Sequence, residues 1–328
     1  MAPSPLHDMP GMPEELVRVE DALRRVVVTE DAYLTEIASH LIKAGGKRQR
    51  PAFAIAVGAT QLPVPVPEEV ILGGVAVELV QVGSLYHDDV MDEALTRRGV
   101  ESVNARWGNL RAILSGDFLL AKASEIAASL GVEVAGLLAS TIGSLCEGQV
   151  RELQTVFNAE RTEEQYLASV AGKTASLFAT ACRIGGIVAG LPRDWVEAVT
   201  LYGHRYGMAF QIVDDVLDVV ATDEELGKPA GQDLAEGIYT LPVIRALRHG
   251  GAGAGELRGI LGSPLERGDV ETARKIVRSD GAVEESMALA RGYCEEAIVA
   301  LAPLDGAGIG YEALAAAPAG LLGSVPHL

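Results

Sequence analysis

The chain has 328 residues and a formal charge of −18, from 27 lysines and arginines against 45 aspartates and glutamates. Hydrophobic residues make up 48% of the sequence and its mean hydropathy is +0.22, so a sizeable core can form and wholesale disorder is excluded. The pI near 4.8 excludes a duplex-binding protein, because nucleic-acid phosphates are bound by clustered lysines and arginines.

Helices are predicted along the whole chain. Prolines are absent from 68 to 191, where apolar residues recur three and four apart, and no apolar–polar alternation is sustained. The predicted helices are 14–43, 51–60, 68–92, 110–129, 132–157, 163–190, 193–223, 239–249, 266–278 and 281–302. The predicted loops are 61–67, 96–100, 227–232 and 250–255. Since no low-complexity linker divides the chain, the sequence predicts one all-α domain over 1–328 with about ten or more helices.

The cysteines and the N-terminus indicate a cytoplasmic protein. Cys146, Cys182 and Cys294 are widely spaced and form no C-x-x-C pair, which favours three small core residues in a reducing compartment. The N-terminal residues have neither a basic region nor an apolar region, so no signal peptide is predicted. No apolar run reaches ~18 residues, so no membrane span is predicted either.

Two similar aspartate clusters lie 126 residues apart, each in the C-terminal part of an apolar predicted helix. They are DDVMD, starting at Asp88, and DDVLD, starting at Asp214. Because residues i and i+4 share a helix face, Asp88 stacks with Asp92 and Asp214 with Asp218, at about 0.2–0.5 kcal/mol per like-charged pair. A hard divalent cation, Mg²⁺ above all, offsets this repulsion and leaves positions open for substrate phosphates. Two solvated acidic helix ends are the alternative interpretation.

Basic residues flank these clusters. GGKRQRP at 45–51 places Lys47, Arg48 and Arg50 after two glycines. The glycines let the backbone approach an anion closely, and arginine binds phosphate through two parallel hydrogen bonds. Arg97 and Arg98 follow the first aspartate cluster, where they could receive the diphosphate held by the metal ions. Each segment taken alone is also explained as a solvated basic turn.

Five segments together resemble the motifs of the trans-isoprenyl diphosphate synthases, or polyprenyl synthetases. In chain order they are GGKRQRP at 45–51, DDVMDEALTRRG at 88–99, GKTASLF at 172–178, QIVDDVLDVV at 211–220 and LGKPAGQDLAEGIYTLP at 226–242. The resemblance covers about residues 14–300 and leaves the N-terminal dozen residues and the tail after 303 unassigned. It implies an all-α bundle around a central apolar cavity, of the isoprenoid synthase type.

The resemblance also implies a role for each matching residue. The side chains expected at the diphosphate of isopentenyl diphosphate are Lys47, Arg50, Gln81 and Arg98. Those expected to hold two to three Mg²⁺ ions against the allylic diphosphate are Asp88, Asp92, Asp214 and Asp218. Those expected to contact the same diphosphate are Arg97, Lys173 and Lys228. Those expected to present oxygens towards the forming allylic cation are Thr174 and Gln211.

Two residues depart from the family pattern, and a histidine beside the first cluster has to be judged as a base or as a structural residue. Gln81 stands where the family often has histidine, and its amide can still donate to phosphate. Ile238 stands where many members have lysine, so one cationic contact to the leaving diphosphate is expected to be missing. His87 points about 100° away from Asp88 on a helix, which favours a structural role over that of a base.

The predicted function is an Mg²⁺-dependent condensation of isopentenyl diphosphate onto an allylic diphosphate. Metal ions and lysines stabilise the charge that develops on the leaving diphosphate, and no protein nucleophile is needed. A class I terpene cyclase would lack the GGKRQRP segment, and a regulatory subunit of a heteromeric synthase would usually lack the aspartates. A di-iron bundle would need paired Glu-x-x-His motifs, which we do not find.

The resemblance also bears on assembly and product length. Family members are generally dimeric, so we expect a homodimer, with peripheral membrane contact when product is released. The growing chain runs along the first aspartate helix, where Gly83 and Ser84 lie one turn before Asp88 and are both small. The sequence therefore predicts a C30 to C50 product, with geranylgeranyl diphosphate (C20) as the alternative if another helix closes the tunnel. Close helix packing is the other interpretation of Gly83 and Ser84.

Overall fold

The structure is a computed structural model that describes residues 5–226 and 229–325, and this part of the chain is almost entirely helical. The helices are α1 (Met12–Val26), α2 (Ala32–Ala38), α3 (His40–Lys43), α4 (Gln49–Gly58), α5 (Glu68–Met91), α6 (Val103–Trp107), α7 (Asn109–Leu130), α8 (Val132–Leu153), α9 (Glu163–Val170), α10 (Ser176–Val188), α11 (Arg193–Val220), α12 (Asp223–Leu226), α13 (Gln232–Ala235), α14 (Leu241–His249), α15 (Gly251–Ile260), α16 (Arg267–Ser279), α17 (Ala282–Ala300) and α18 (Gly308–Leu322). Short 3-10 helices lie at Pro5–Asp8 and Ala302–Leu304, and a π turn at Ala171–Ala175. The predicted all-α class is confirmed.

The predicted helix over 14–43 is wrong in one respect, because three helices occupy it. The carboxylate of Asp31 accepts the backbone N–H groups of Tyr33 (2.8 Å) and Leu34 (3.2 Å) and so begins α2. The Thr29 hydroxyl donates to the Asp31 carbonyl at 2.9 Å. These side-chain bonds compete with helical hydrogen bonds and stop the preceding helix.

The loop predicted at 250–255 is also wrong, because α15 runs through it. The glycine and alanine content of this segment favours a loop, but Ala254 and Leu257 are buried where α15 packs on α14 and α16. Tertiary burial therefore overrides local propensity here. The loop predicted at 96–100 contains a two-residue hairpin, in which Thr96–Arg97 pairs antiparallel with Val100–Glu101.

Helix α10 is central to the bundle, since it packs on α4, α5, α8 and α11. Phe53, Phe178 and Tyr206 join three of these helices, with ring centroids 4.6–5.5 Å apart. At Gly185 of α10 a Cβ would lie 2.5 Å from the Ala54 carbonyl oxygen, so α4 and α10 pack this closely only around glycine. The two aspartate helices, α5 and α11, are thereby fixed on the same helix α10.

Four helices close a ring beside the first aspartate cluster. Helix α5 packs on α7, α7 on α8, α8 on α10, and α10 on α5. By length and composition α5 is the one helix of the described chain that could cross a membrane, but 72% of its apolar window is buried against its neighbours. It is therefore accounted for as a core helix of this ring.

The tail after residue 303 completes the core. Helix α18 packs on α4 and on Pro5–Asp8, and the Tyr202 hydroxyl donates to the Leu314 carbonyl at 2.7 Å.

The three cysteines differ in burial. Cys182 and Cys294 are buried, as expected. Cys146 is exposed on α8, which corrects the prediction of three core cysteines, and all three are free thiols.

Candidate active site

The first aspartate cluster lies where α5 ends, with Asp92 as the C-terminal cap. Burial, together with the carboxylates of Asp92 and Glu152, raises the pKa of Asp88 to about 6, although Lys173 and Arg97 lower it. Burial raises the pKa of Asp92 as well. These carboxylates are therefore short of positive charge in the protein alone.

Lys173 is the cation that faces this cluster. Its Nζ lies 2.6 Å from Glu152 Oε1 of α8. Burial by itself lowers the pKa of Lys173, but Glu152, Asp88 and Asp92 more than offset this, so the pKa is raised and the ammonium stays charged. Lys173, which was predicted to contact the allylic diphosphate, thus lies beside the first cluster. Glu152 lies in none of the five motifs and was missed.

The π turn decides where Lys173 points. It lies between α9 and α10, where Gly172 packs against Gly148 of α8. A Cβ at Gly148 would lie 2.5 Å from the Lys173 backbone nitrogen, and a Cβ at Gly172 would lie 2.8 Å from the Ser144 carbonyl oxygen. Single π turns inside α-helices are frequent at functional sites. Here the wider turn directs Lys173 and Thr174 to one cavity.

The middle aspartate of the first cluster anchors Arg97. Asp89 is fully buried, and its Oδ1 accepts Arg97 Nε at 2.7 Å. The Arg97 side chain remains 33% exposed, so its other guanidinium nitrogens can still reach a ligand. The hairpin that follows α5 therefore brings Arg97 back over Asp88 and Asp92.

A buried glutamate organises the arginines predicted to bind isopentenyl diphosphate. Glu78 Oε1 on α5 lies 2.8 Å from Arg48 Nη1 and 3.7 Å from Arg98 Nη2. The Arg50 guanidinium lies 4.6 Å from the Phe178 ring centroid, and burial lowers its pKa to about 10 although Glu78 opposes the shift. Glu78 was missed by the sequence prediction, and Arg48 was named there only as part of the basic run GGKRQRP, without a role of its own.

Other predicted residues lie around this arginine cluster. Arg98 Nη1 donates to the carbonyls of Gly45 (2.5 Å) and Leu41 (3.0 Å), which fixes the hairpin against the glycine loop. Lys47 is exposed, and its carbonyl lies 2.7 Å from His7 Nε2. Gln81 is half-buried on the helix face shared by Glu78 and Asp88, between the arginines and the first aspartate cluster.

In the second cluster the middle aspartate, Asp215, is held by two side-chain hydrogen bonds. Asp215 is buried and accepts the Tyr166 hydroxyl at 2.5 Å and Gln211 Nε2 at 2.8 Å. Burial raises the pKa of Asp215 to about 7, although these two donors oppose the shift. Thr174 Oγ1 donates to Gln211 Oε1 at 2.7 Å. Thr174 and Gln211 are therefore brought together, as predicted, in a chain of hydrogen bonds that ends on Asp215.

The outer aspartates of this cluster differ in exposure. Asp214 is exposed to solvent, whereas Asp218 is 4% exposed. Asp218 Oδ2 accepts the backbone N–H of Asp233 at 3.2 Å, and its carbonyl accepts that of Gly231 at 2.9 Å. Asp214 is thus the accessible ligand candidate, and Asp218 holds the loop that follows α11. Lys228, in that loop, lies outside the described residues.

One cavity joins the two halves of the site. Its lining residues are Glu152, Arg161, Tyr166, Ser169, Val170, Lys173, Thr174, Gln211, Asp215, Asp233, Ile238 and Thr240. The Glu152 carboxylate raises the pKa of Asp88 and Asp92 in the first cluster and also of Asp215 in the second. Glu152 therefore lies between the two clusters. Ile238 lies in the wall, as expected of the position where lysine is missing. Arg161 and Tyr166 come from no predicted motif.

The remaining predicted residues lie on α5 towards α7. His87 Nε2 is 3.2 Å from the Ile113 carbonyl, which agrees with a structural role. A Cβ on Gly83 would lie 3.1 Å from the Gly116 carbonyl oxygen, so Gly83 is used for close packing of α5 on α7. Ser84 is half-buried and shares the helix face of Asp88.

The donor set fits Mg²⁺. Within residues 5–226 and 229–325, no three carboxylate, imidazole or thiolate groups lie close enough to form a metal site from protein ligands alone. Mg²⁺ is typically held by one or two carboxylates, with waters and substrate phosphates as the other ligands. Asp88 and Asp92 would supply such oxygens, and a bound cation would offset the cost of burying their charge, which raises the pKa of both.

Comparison with known proteins agrees with this geometry. The polyprenyl synthetase family model matches residues 31–278. The nonaprenyl diphosphate synthase of Mycobacterium tuberculosis is 38% identical over 86% of this chain and 84% of its own length. The heptaprenyl diphosphate synthase component 2 of Geobacillus stearothermophilus is 37% identical over 87% and 88%. The polyprenyl synthase of Caulobacter crescentus, solved with calcium and isoprenyl diphosphate, superposes with a TM-score of 0.90 at 30% identity, covering 98% of both chains.

The family match extends over most of the chain, and the structural match includes the helices that carry both aspartate clusters. A terpene cyclase and a di-iron bundle are therefore set aside. The chain belongs to the polyprenyl synthetase family.

Proposed function

We propose that this protein condenses isopentenyl diphosphate onto an allylic diphosphate and makes a long trans-polyprenyl diphosphate. The observation that carries the proposal is the Glu152–Lys173 ion pair of 2.6 Å, which lies between the two aspartate clusters beside one cavity. A long product is supported by the relatives, which are named nonaprenyl and heptaprenyl diphosphate synthases. The small residue Ser84 below Asp88 supports it independently.

Each group has a defined part in this reaction. Asp88, Asp92 and Asp214 would hold two to three Mg²⁺ ions, with Asp218 as a further candidate. Bound Mg²⁺ supplies charge neutralisation as the allylic diphosphate departs. Lys173 and Arg97 donate hydrogen bonds to that diphosphate, and Lys228 is expected to join them.

The hydrogen-bond chain serves the other product of bond cleavage, the allylic cation. The Thr174 hydroxyl donates a hydrogen bond to Gln211 Oε1, so its own lone pairs stay available to the cation. Gln211 in turn donates through Nε2 to Asp215. Arg50, Arg98, Lys47 and Gln81 hold isopentenyl diphosphate so that its double bond meets the cation. Fixed dipoles and charges of this kind lower the barrier without a protein nucleophile.

The decisive experiment is a product assay with Mg²⁺, radiolabelled isopentenyl diphosphate and allylic primers of five to twenty carbons. We expect label to enter chains of C30 to C50. Release of a cyclic hydrocarbon from the primer, without incorporation of label, would instead identify a cyclase. No turnover by the purified chain, but turnover on adding a second protein, would identify a component of a heteromeric synthase.

Glu78→Gln tests the arginine cluster. We expect KM for isopentenyl diphosphate to rise about tenfold, ~1.4 kcal/mol, because Arg50 and Arg98 lose the carboxylate that orients them. KM for the allylic substrate should change little. The matched control is Glu20→Gln, since Glu20 contacts Arg48 from the outer side at 2.5 Å and is 24% exposed. Equal effects of the two variants would show that the cluster serves folding alone.

The outer faces of α7 and α8 are proposed as the interface of the predicted homodimer. Helices α7 and α8 are joined by the single residue Gly131 and pack antiparallel, and their outer faces leave apolar side chains in solvent. The exposed residues at the end where α7 begins and α8 ends are Leu110 (70%), Ile113 (41%), Leu114 (57%), Val150 (52%) and Leu153 (48%). Several large apolar side chains exposed on two neighbouring helices are typical of protein interfaces, and a two-fold pairing is the commonest closed arrangement.

Light scattering is expected to give twice the chain mass of 34.4 kDa for the wild type. The double variant Leu114→Glu with Val150→Glu should shift it to the monomer, because it places carboxylates in the apolar contact. Val28→Glu, at a valine 62% exposed in the loop after α1, is the control and should remain dimeric. A wild-type monomer at micromolar concentration would refute the proposal.

The chain is further proposed to act as one domain over 1–328 in the cytoplasm. The contacts of α18 with α4, and the free thiols of the three cysteines, support these two assignments. Limited proteolysis should leave a fragment that includes α18, and cell fractionation should recover the enzyme without detergent. Peripheral membrane contact would appear as product-dependent binding to vesicles.

A further inference from the structure

Arg161 is a buried arginine that none of the five motifs contains. It lies between α8 and α9 and is 4% exposed. Nη1 donates to the Tyr239 carbonyl at 3.0 Å and Nη2 to the Ser169 hydroxyl at 3.3 Å. Nε is buried and donates to no described group. The guanidinium is therefore held through both terminal nitrogens, and Nε is its one nitrogen without a hydrogen-bond partner among the described residues.

The surroundings of Arg161 supply charge at a distance but no direct ion pair. Among the described residues, no carboxylate oxygen lies within 4.0 Å of its nitrogens, although Glu152, Asp215 and Asp233 partly offset the lowering of its pKa by burial. Arginine does not deprotonate in proteins, and a buried charge costs several kcal/mol unless it is paired. A buried cation in the wall of a cavity, with a spare donor, is suited to an anionic ligand.

Arg161 lies close to Ile238 in the wall of the cavity. Its guanidinium is bound to the carbonyl of Tyr239, the residue that follows Ile238, and Ile238 lines the same cavity. A lysine at 238 would extend its ammonium into that cavity, whereas isoleucine offers none. Lys173 is the other cation in the described lining, against the carboxylates of Glu152, Asp215 and Asp233.

We propose that Arg161 is a second fixed cation for the allylic diphosphate, and that it replaces from the α8–α9 connection the charge that Ile238 does not provide. The inference rests on the proposed function, because it assigns the anion to the diphosphate of that reaction. It explains how a chain with an apolar residue at 238 can still balance the charge of the leaving group. It also assigns a role to a residue that no sequence motif marks.

Two single variants and their combination test this exchange of cations. Arg161→Met should lower kcat/KM for the allylic diphosphate about thirtyfold while changing KM for isopentenyl diphosphate less than threefold. Ile238→Lys in the wild type should raise kcat/KM less than threefold, since the cation is already present. Arg161→Met combined with Ile238→Lys should recover at least tenfold over Arg161→Met alone. Arg258→Met, at an arginine 47% exposed on α15, is the matched control for loss of a surface charge.

A purely structural arginine would behave differently. Its loss would lower the melting temperature, and a lysine at 238 would recover neither stability nor activity. If Arg161→Met does not fold, Ile238→Lys alone still decides, because a tenfold gain in kcat/KM would show that the cavity had lacked a cation and would overturn the proposal. Absence of recovery in a folded double variant would overturn it too.

A measurement of diphosphate binding tests the role of Arg161 separately from the proposed function. Calorimetry with Mg²⁺ and inorganic diphosphate should give about tenfold weaker binding for Arg161→Met than for the wild type, with recovery in the double variant. That result would support the cation role even if the wild type did not elongate any primer. Normal elongation by the wild type, with equal diphosphate affinity in folded Arg161→Met, would reject the role of Arg161 and leave the proposed function standing.

Discussion

Asp88→Ala and Asp214→Ala are each expected to lower turnover about a thousandfold, which corresponds to ~4 kcal/mol of lost transition-state stabilisation. Under the proposed function each variant removes an oxygen ligand for Mg²⁺ from a site where the developing diphosphate charge must be neutralised. The fold should survive. Burial raises the pKa of Asp88 to about 6, so its ionised carboxylate destabilises the metal-free protein, and Asp88→Ala should melt no lower than wild type.

The measurements are turnover at saturating substrate and thermal melts with and without Mg²⁺ and diphosphate. Wild type should gain stability from the two ligands together, and each variant should lose most of that gain. Asp21→Ala is the matched control, because Asp21 is an exposed aspartate on α1. Near-native turnover in either site variant would refute the proposal that both aspartate clusters hold metal.

Ser84→Phe is expected to shorten the product from C30–C50 to C15 or C20 without loss of the first condensation. Ser84 lies one turn before Asp88 on the same helix face and is half-buried, although its helix is a core helix. A phenylalanine ring adds roughly 150–250 Å² of surface in the path of the growing chain. Sizing of radiolabelled products by chromatography reads out the change directly.

Two small substitutions separate this effect from packing. Ser84→Ala removes only the hydroxyl, which donates to the Gln81 carbonyl at 2.9 Å, and should leave the product length unchanged. Gly83→Ala places a Cβ 3.1 Å from the Gly116 carbonyl oxygen and should lower the melting temperature instead. A wild type that already stops at C15, or a Phe variant with the same products as wild type, would refute the assignment of Ser84.

The local signals in the sequence were sufficient for the helices and for the residues in motifs. Period-3.6 patterning predicts α5, α7 and α11 to within a few residues, and the two D-D-V-x-D clusters mark both acidic sites. Thr174 and Gln211, both predicted to face the allylic cation, are hydrogen-bonded to each other, and Lys173 lies near Asp88, while the roles of these residues stay predictions. These predictions succeed because helical periodicity and ligand chemistry depend on residues that are close in the sequence.

Contacts between distant segments were decided by the tertiary structure alone. Glu152, Arg161 and Glu78 lie in no motif, yet burial among opposite charges makes each part of the site. The π turn at Ala171–Ala175 depends on Gly172 meeting Gly148 of another helix, and α15 depends on burial of Ala254 and Leu257. Gly83 was assigned to the tunnel as well as to packing, and only the approach of Gly116 decides for packing. Burial, and the electrostatic cost that comes with it, is a property of the assembled bundle, so no local pattern could encode these residues.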